Sequence, residues 1–308
     1  MLAGRAAGAF TGGMKIPAHS TAAVIALLAA ALPAFAQGHK IPADAKTLRD
    51  VAYVAGGHER QKLDLYLPAT GAKRPVLVWI HGGGWEGGNK NECPALGMVG
   101  RGFVVASLNY RLSQHAIFPA QIEDCKSAIR WLRAHAEEYG IDPAHVGVWG
   151  ASAGGHLGAL LGTTGHTKQF DKGENLDQSS RVQCVIDWFG PADFLRWGNT
   201  SIFTVTDPKS PIYKLFGGPL PENDALARAA SPVTYVQKDA APILMIHGDK
   251  DSLVPVQQSE ELHKALKQAG VDTTLDILPG SNHGGAEFFA ESKLKLMIDF
   301  VEKYLLAK

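Results

Sequence analysis

Residues 146–157 read VGVWGASAGGHL, and the order of residues in that stretch decides the fold. Val146 to Trp149 is an apolar run of buried-strand type, and Ala153 to Leu161 is a run of small and apolar residues that reads as a helix. Gly150-Ala151-Ser152-Ala153-Gly154 joins the two directly, which is the context that a G-x-S-x-G nucleophile elbow requires. So sharp a turn crowds the backbone two residues before and two after the serine, hence Gly150 and Gly154; Ala151, Ala153 and Gly155 are small for the same reason. The stretch sets an architecture, strand into helix, and a candidate reacting group, Ser152.

Working outward, buried apolar strands alternate with amphipathic helices. Thr47 to Ala55 and Gln61 to Leu67 read as a strand pair around a Gly56-Gly57 turn, and Pro75 to Ile80 (PVLVWI) and Phe103 to Leu108 as strands. From residue 120 to 139 the apolar residues Ile122, Cys125, Ala128, Ile129, Leu132 and Ala136 recur at spacings of three and four, a helix that Pro119 starts and Gly140 stops. Val182 to Phe189, Ile243 to His247 and Thr273 to Leu278 are further strands, with helices at residues 256–269 and 287–305. The pattern predicts an α/β fold, a mostly parallel sheet of roughly eight strands with helices on both faces, in a single domain over 37–308. Residues 190–240 break the rhythm with six prolines, yet carry Phe194, Trp197, Phe203, Tyr213 and Phe216. This irregular excursion reads as a segment on the substrate side. No internal repeat is present.

Charge is balanced, 30 Lys+Arg against 30 Asp+Glu, and 45% of the residues are hydrophobic. That excludes electrostatic capture of nucleic acid and excludes disorder. Residues 1–36 read as a secretory signal peptide, with Lys15, an apolar segment from Thr21 to Leu32, and the small-residue site Ala34-Phe35-Ala36. Met14 reads as the initiator. Cleavage near Ala36 predicts a secreted or periplasmic protein, and no cysteine follows the apolar segment to take a lipid anchor, so no stable membrane anchor is expected. In that oxidising compartment Cys93, Cys125 and Cys184 allow at most one bridge, and the spacing selects none.

A serine hydroxyl is a weak nucleophile until a base takes its proton, so a carboxylate and then a histidine should follow Ser152 in the chain. The strand PILMIHGDKDSLVP delivers Asp249 and Asp251 at its carboxyl end, and LDILPGSNHGG delivers His283 in a loop. Asp251 is preferred, because Asp249 would sit in the turn itself and bond local backbone. His247 and His263 read as structural or surface residues. Ile80-His81-Gly82-Gly83-Gly84-Trp85 ends another strand, and glycines there let N–H groups approach an oxygen that gains negative charge. The same glycines match a dinucleotide fingerprint formally, but no helix opens at once and the next strand ends in Asn109, not an acid. His247, Asp249 and Asp251 lack a further metal ligand at recognisable spacing. Neither a cofactor nor a metal is expected.

HGGGW (81–85), SLNYRLS (107–113), FPAQIEDCKSAIRWLRA (118–134), GVWGASAGGHL (147–157), DWFGPADF (187–194) and HGDKDSLVP (247–255) together resemble the α/β-hydrolases. Within that superfamily the chain resembles the bacterial carboxylesterases with an HGGG loop, in particular the feruloyl/acetyl-xylan esterase-like group. The resemblance covers nearly all of residues 37–308 and implies Ser152 as nucleophile, His283 as base, Asp251 as acid, and the backbone N–H groups of Gly83, Gly84 and Ala153 as oxyanion hole. It implies a cofactor-free serine ester hydrolase acting on short-chain or aromatic acyl esters, such as acetyl or feruloyl esters of plant polysaccharide or related small molecules. Trp85, Trp188, Phe189, Phe194 and Trp197 fall in loops near the catalytic end and are candidates to stack an acyl group or line a sugar. Two departures separate the chain from the hormone-sensitive-lipase-like branch: Ala151 stands where that branch has Asp, and residues 37–74 read as strands, leaving no room for a large N-terminal helical cap. The segment HGDKDSLVP is similar to that of prolyl-oligopeptidase-type peptidases. A serine peptidase, an arylformamidase and a non-catalytic binding module therefore stand as alternatives. Nothing in the sequence sets an oligomeric state.

Overall fold

The computed structural model describes residues 41–71, 73–197, 201–220 and 224–306. The proposed signal peptide lies outside the described residues. Eight strands form one sheet: β1 (Lys46–Ala52), β2 (Lys62–Leu67), β3 (Arg74–Ile80), β4 (Val104–Leu108), β5 (Ile141–Ala151), β6 (Cys184–Trp188), β7 (Ile243–Gly248) and β8 (Thr273–Leu278). Their spatial order is β1-β2-β4-β3-β5-β6-β7-β8. β1 and β2 are an antiparallel hairpin, β2 runs antiparallel to β4, and the remaining neighbours are parallel. This is the mostly parallel sheet that the alternating pattern predicts, in the arrangement that the α/β-hydrolase resemblance implies.

Alternation along each strand divides the core in two. On β3, Val76, Val78 and Ile80 face one side of the sheet while Leu77 and Trp79 face the other, and all are buried. The first side is covered by α1 (Ala120–Ala134), α3 (Ala153–Thr163) and α6 (Gln257–Gln268), through residues such as Ile122, Ile129, Leu157, Leu161 and Leu262. The other side is covered by the 3₁₀ turn Pro94–Arg101 and by α7 (Glu291–Leu305), through Met98, Met297 and Val301. Among the described residues no helix is long and apolar enough to cross a membrane.

Three departures from the expected boundaries have a local reason. The helix predicted over 120–139 breaks at His135 (φ −105°, ψ 18°), leaving α1 and a short α2 (Ala136–Tyr139); the His135 ring nitrogen Nδ1 sits 2.9 Å from the Trp131 carbonyl. The helix predicted over 287–305 is a 3₁₀ turn, Ala286–Phe289, and α7, separated by Ala290 in an extended conformation. The excursion at 190–240 is not irregular throughout. It holds α4 (Pro211–Phe216), α5 (Asp224–Ala230) and two 3₁₀ turns, Phe194–Arg196 and Pro232–Tyr235. Its prolines start helices as well as interrupting them: Pro211 and Pro232 occupy first turns, where the missing N–H costs nothing, and Ser210 caps α4 by accepting the Ile212 N–H at 3.2 Å.

Strand order places the site. The chain passes from β3 out to β4 on one side and returns to β5 on the other, so a crevice opens between the carboxyl ends of β3 and β5. Ile80 pairs with Gly150, which brings the loop after β3 beside the turn after β5.

Candidate active site

Ser152 stands between β5 and α3 with φ 56° and ψ −118°, and its N–H donates to the Trp188 carbonyl of β6 at 2.8 Å. The flanking glycines are compulsory: a Cβ on Gly150 would meet the Gly154 carbonyl oxygen at 2.1 Å, and one on Gly154 the Ile80 carbonyl oxygen at 2.0 Å. Ser152 Oγ lies 2.9 Å from His283 Nε2, and His283 Nδ1 lies 2.6 Å from Asp251 Oδ2. An ionised carboxylate only accepts, so the His283 proton is on Nδ1 and Nε2 is left to accept from the serine hydroxyl. The parallel pairing of β7 with β8 brings Asp251 and His283 to the same end of the sheet.

Asp251 is fully engaged. Oδ1 accepts the N–H groups of Leu253 and Val254 at 2.8 and 2.9 Å, and Oδ2 accepts from His247 Nε2 at 3.1 Å as well as from His283. Burial works against the charge, but the neighbouring His283 and the hydrogen bonds from His247 and His283 outweigh it and hold the carboxyl well below the usual carboxylate range. Asp249, the other candidate, turns away and accepts the Gly280 N–H at 2.6 Å. His247, which the sequence reads as a structural or surface residue, is a buried partner of Asp251. It is buried at the end of β7, accepts the Ser259 hydroxyl proton on Nδ1 at 2.7 Å and shares its Nε2–H between Asp251 and the Val254 carbonyl. Its signal was a lone polar residue at the end of the otherwise apolar run Ile243–Gly248.

After β3 the chain turns through Gly83 (φ 105°), Gly84 (φ 58°) and Trp85 (φ 57°). A Cβ on Gly82 would stand 2.8 Å from the Ala151 carbonyl oxygen and 3.3 Å from Ser152 Cβ, so glycine lets this loop lie against the serine. The loop's internal bonds use the Gly83 carbonyl, which accepts from Glu86 and Gly87 at 3.1 and 2.9 Å. Its Gly83 and Gly84 N–H groups, with that of Ala153 at the start of α3, have no backbone acceptor among the described residues.

A pocket of about 50 Å³ opens beside Ser152 and His283. Its wall is mostly apolar, with Trp85 from the glycine loop, Pro191, Trp197, Phe203, Pro211 and Ile212 from the excursion, and Leu253 and Val254 beyond β7. Of the five aromatic residues expected here, Trp85 and Trp197 line it. Phe194 lies behind them, its ring 5.9 Å from each. Phe189 packs on the His283 ring at 4.3 Å. Trp188 does not belong to the pocket: alternation along β6 turns its side chain to the opposite core, where its indole N–H donates to Met297 Sδ at 3.2 Å and its ring packs on Trp79 and Trp149. Glu86, at the rim, pairs with Lys214 of α4 at 2.5 Å and so ties the glycine loop to the excursion.

Among the described residues, one group outside the site has metal-ligand composition: His58, Glu59 and His115 bring ligand atoms within 4.8 Å of one another. Both imidazole Nδ1 atoms already accept backbone N–H groups, from Arg60 and Leu112.

Sheet order, elbow and glycine loop define the class, an α/β-hydrolase fold in which a serine, a histidine and an aspartate are joined by hydrogen bonds. The chain belongs to the BD-FAE family, whose model matches residues 63–266. It is similar to the esterase LipQ of Mycobacterium tuberculosis, 32% identical over 83% of this chain and 61% of LipQ. It is also similar to the probable carboxylic ester hydrolase LipM of the same organism, 34% identical over 71% of this chain and 51% of LipM. The chain thus spans about half to three-fifths of the length of these curated relatives. Among solved structures, a truncated carbohydrate esterase from gut microbiota is 33% identical, with 88% of this chain and all of that chain covered and a TM-score of 0.80. The esterase Est2 of the planctomycete Thermogutta terrifontis is 26% identical, covering 88% and 98% with a TM-score of 0.69.

Proposed function

We propose that the chain is an exported serine carboxylic ester hydrolase that works through an acyl-enzyme on short acyl esters, including those carried by polysaccharide. The observation that carries this reading is the unbroken chain Ser152–His283–Asp251 at the mouth of a small apolar pocket. In the proposed reaction Ser152 attacks the ester carbonyl and His283 Nε2 takes its proton, while Asp251 stabilises the imidazolium. The N–H groups of Gly83, Gly84 and Ala153 receive the oxyanion. His283 then protonates the departing alcohol, and water releases the acid by the same steps in reverse. The small, mostly apolar pocket walled by Trp85, Trp197 and Phe203 beside Ser152 supports a short acyl group. The names of the carbohydrate esterase and of the mycobacterial esterases support the reaction class.

The test is initial rates of the purified protein on p-nitrophenyl acetate and methyl ferulate, each beside Ser152→Ala. Turnover of the acetate is expected, slow or no turnover of the ferulate, and a loss of about 10⁴ or more in Ser152→Ala, because the members of a triad act as a unit. A variant within about tenfold of the wild type removes Ser152 from the nucleophile's role, and a wild type inert on both esters removes the esterase reading.

A further inference from the structure

Arg60 sits in the turn between β1 and β2, far along the chain from every residue of the proposed triad, yet its guanidinium grips the glycine loop. Nη2 reaches His81 Nε2 at 3.1 Å and the Gly88 carbonyl at 2.9 Å, and Nε donates to the Tyr110 carbonyl at 2.8 Å. His81 and Gly88 are the two ends of the loop, brought together because Gly88 has no side chain: a Cβ there would meet His81 Nδ1 at 2.6 Å and the Gly82 carbonyl oxygen at 2.5 Å.

The chemistry of the contact fixes a tautomer. A guanidinium has donors and no acceptor, so His81 Nε2 must be the unprotonated nitrogen and the ring proton must be on Nδ1. Nδ1 lies 2.7 Å from the Gly82 carbonyl and donates to it. In a trans peptide the carbonyl of one residue and the N–H of the next point in opposite directions. Holding the Gly82 carbonyl toward the His81 ring therefore turns the Gly83 N–H to the other side of the loop. The ring itself is immobilised, stacked on Tyr110 at 4.5 Å with 14° between planes, and the Tyr110 hydroxyl donates to the His81 carbonyl at 3.0 Å. Burial drives the His81 pKa down to about 3, so the ring stays neutral and keeps one acceptor nitrogen for Arg60.

We propose that Arg60 is a positioning residue for the oxyanion hole: by donating to His81 Nε2 it selects the His81 tautomer that anchors the Gly82 carbonyl and aims the Gly83 N–H. The catalytic half of this inference rests on the ester hydrolase reading above; the tautomer half does not.

Arg60→Met removes the donor, and Arg60→Lys keeps one. Three quantities are read: kcat and KM on p-nitrophenyl acetate, the inhibition constant of a methyl trifluoromethyl ketone, whose adduct with Ser152 carries an oxyanion, and the ¹⁵N shifts of the His81 ring. In Arg60→Met, kcat should fall about ten- to a hundredfold with KM within about threefold, and the ketone should weaken in parallel. The His81 proton should leave Nδ1. Arg60→Lys should keep the Nδ1–H tautomer and recover part of kcat, and it carries the test if Arg60→Met does not fold. The proposal is overturned if His81 keeps its tautomer in Arg60→Met, or if kcat and ketone affinity stay within about twofold of wild type. It is equally overturned if KM rises as much as kcat falls, which marks a general loosening of the site. Should the wild type lack Ser152-dependent turnover, the ester hydrolase reading has failed, and the ring shifts alone decide whether Arg60 sets the tautomer.

Discussion

Gly83 shows how narrowly the loop after β3 is specified. Its φ is 105°, and a Cβ would stand 2.5 Å from the Gly87 carbonyl oxygen, so any side chain must push the loop open. An oxyanion donor binds charge that exists mainly in the transition state. Gly83→Ala should therefore cost about 10² in kcat with little change in KM, read from Michaelis curves on p-nitrophenyl acetate; a change confined to KM would take Gly83 out of the hole. At this scale the sequence was readable where chemistry demands a fixed order and a strand end. Ser152, Asp251 and His283 are singled out by chain order, and the fold brings their side chains into contact. It was silent where a role arises from a distant partner. Arg60 meets Tyr110 and Gly88, 50 and 28 residues away, and no local pattern marks that. Trp188 was misplaced because adjacency to a catalytic loop was read as facing it, whereas its position in β6 decides which core it enters.

The excursion between β6 and β7 is the element that shapes the pocket. Trp197, Phe203, Pro211 and Ile212 come from it, and the Glu86–Lys214 pair fastens its helix α4 to the glycine loop. Because the Lys214 side chain is 41% exposed, that pair should contribute less than about 1 kcal/mol to stability. Apolar packing in the excursion fixes the acyl space instead. Trp197→Ala should enlarge the pocket and raise kcat/KM for p-nitrophenyl hexanoate relative to the acetate by about tenfold, the value of one or two methylenes in an apolar pocket. An unchanged ratio would mean that the acyl chain leaves Ser152 in another direction. The prolines and aromatics of this segment announced an ordered excursion on the substrate side. They did not announce its helices, which are too short for a 3.6-residue period to appear.

Charge balance and apolar content described the whole molecule correctly as a folded protein with a large core, but they carry no information on single buried charges. Asp187 is one. It lies fully buried on β6, Oδ1 accepts the Gly190 N–H at 2.9 Å, and Oδ2 has no partner among the described residues. Burial raises its pKa from 3.8 to about 6, against smaller opposing effects of the Gly190 hydrogen bond and of His247. The folded state thus holds this proton more tightly than the unfolded chain, so the contribution of Asp187 to stability falls as pH rises from about 4 to 6 and is level above. With a span of roughly two units it amounts to about 3 kcal/mol. Asp187→Asn has no such titration, and the difference in urea unfolding free energy between variant and wild type should grow in the variant's favour across that window. Parallel curves would show that Asp187 is ionised in a compensated site. The three cysteines are likewise buried and unpaired, so the large two-sided core stands without a bridge. The order of the parts along the chain carries one more consequence. His283 follows β8, the last strand of the sheet, 131 residues after Ser152. A nascent polypeptide emerging from the ribosome presents the elbow and the glycine loop long before His283 exists, and a chain that stops short of it has no imidazole beside Ser152. On the proposed reading, the producing cell's own esters are spared until His283 has been added and β8 has docked.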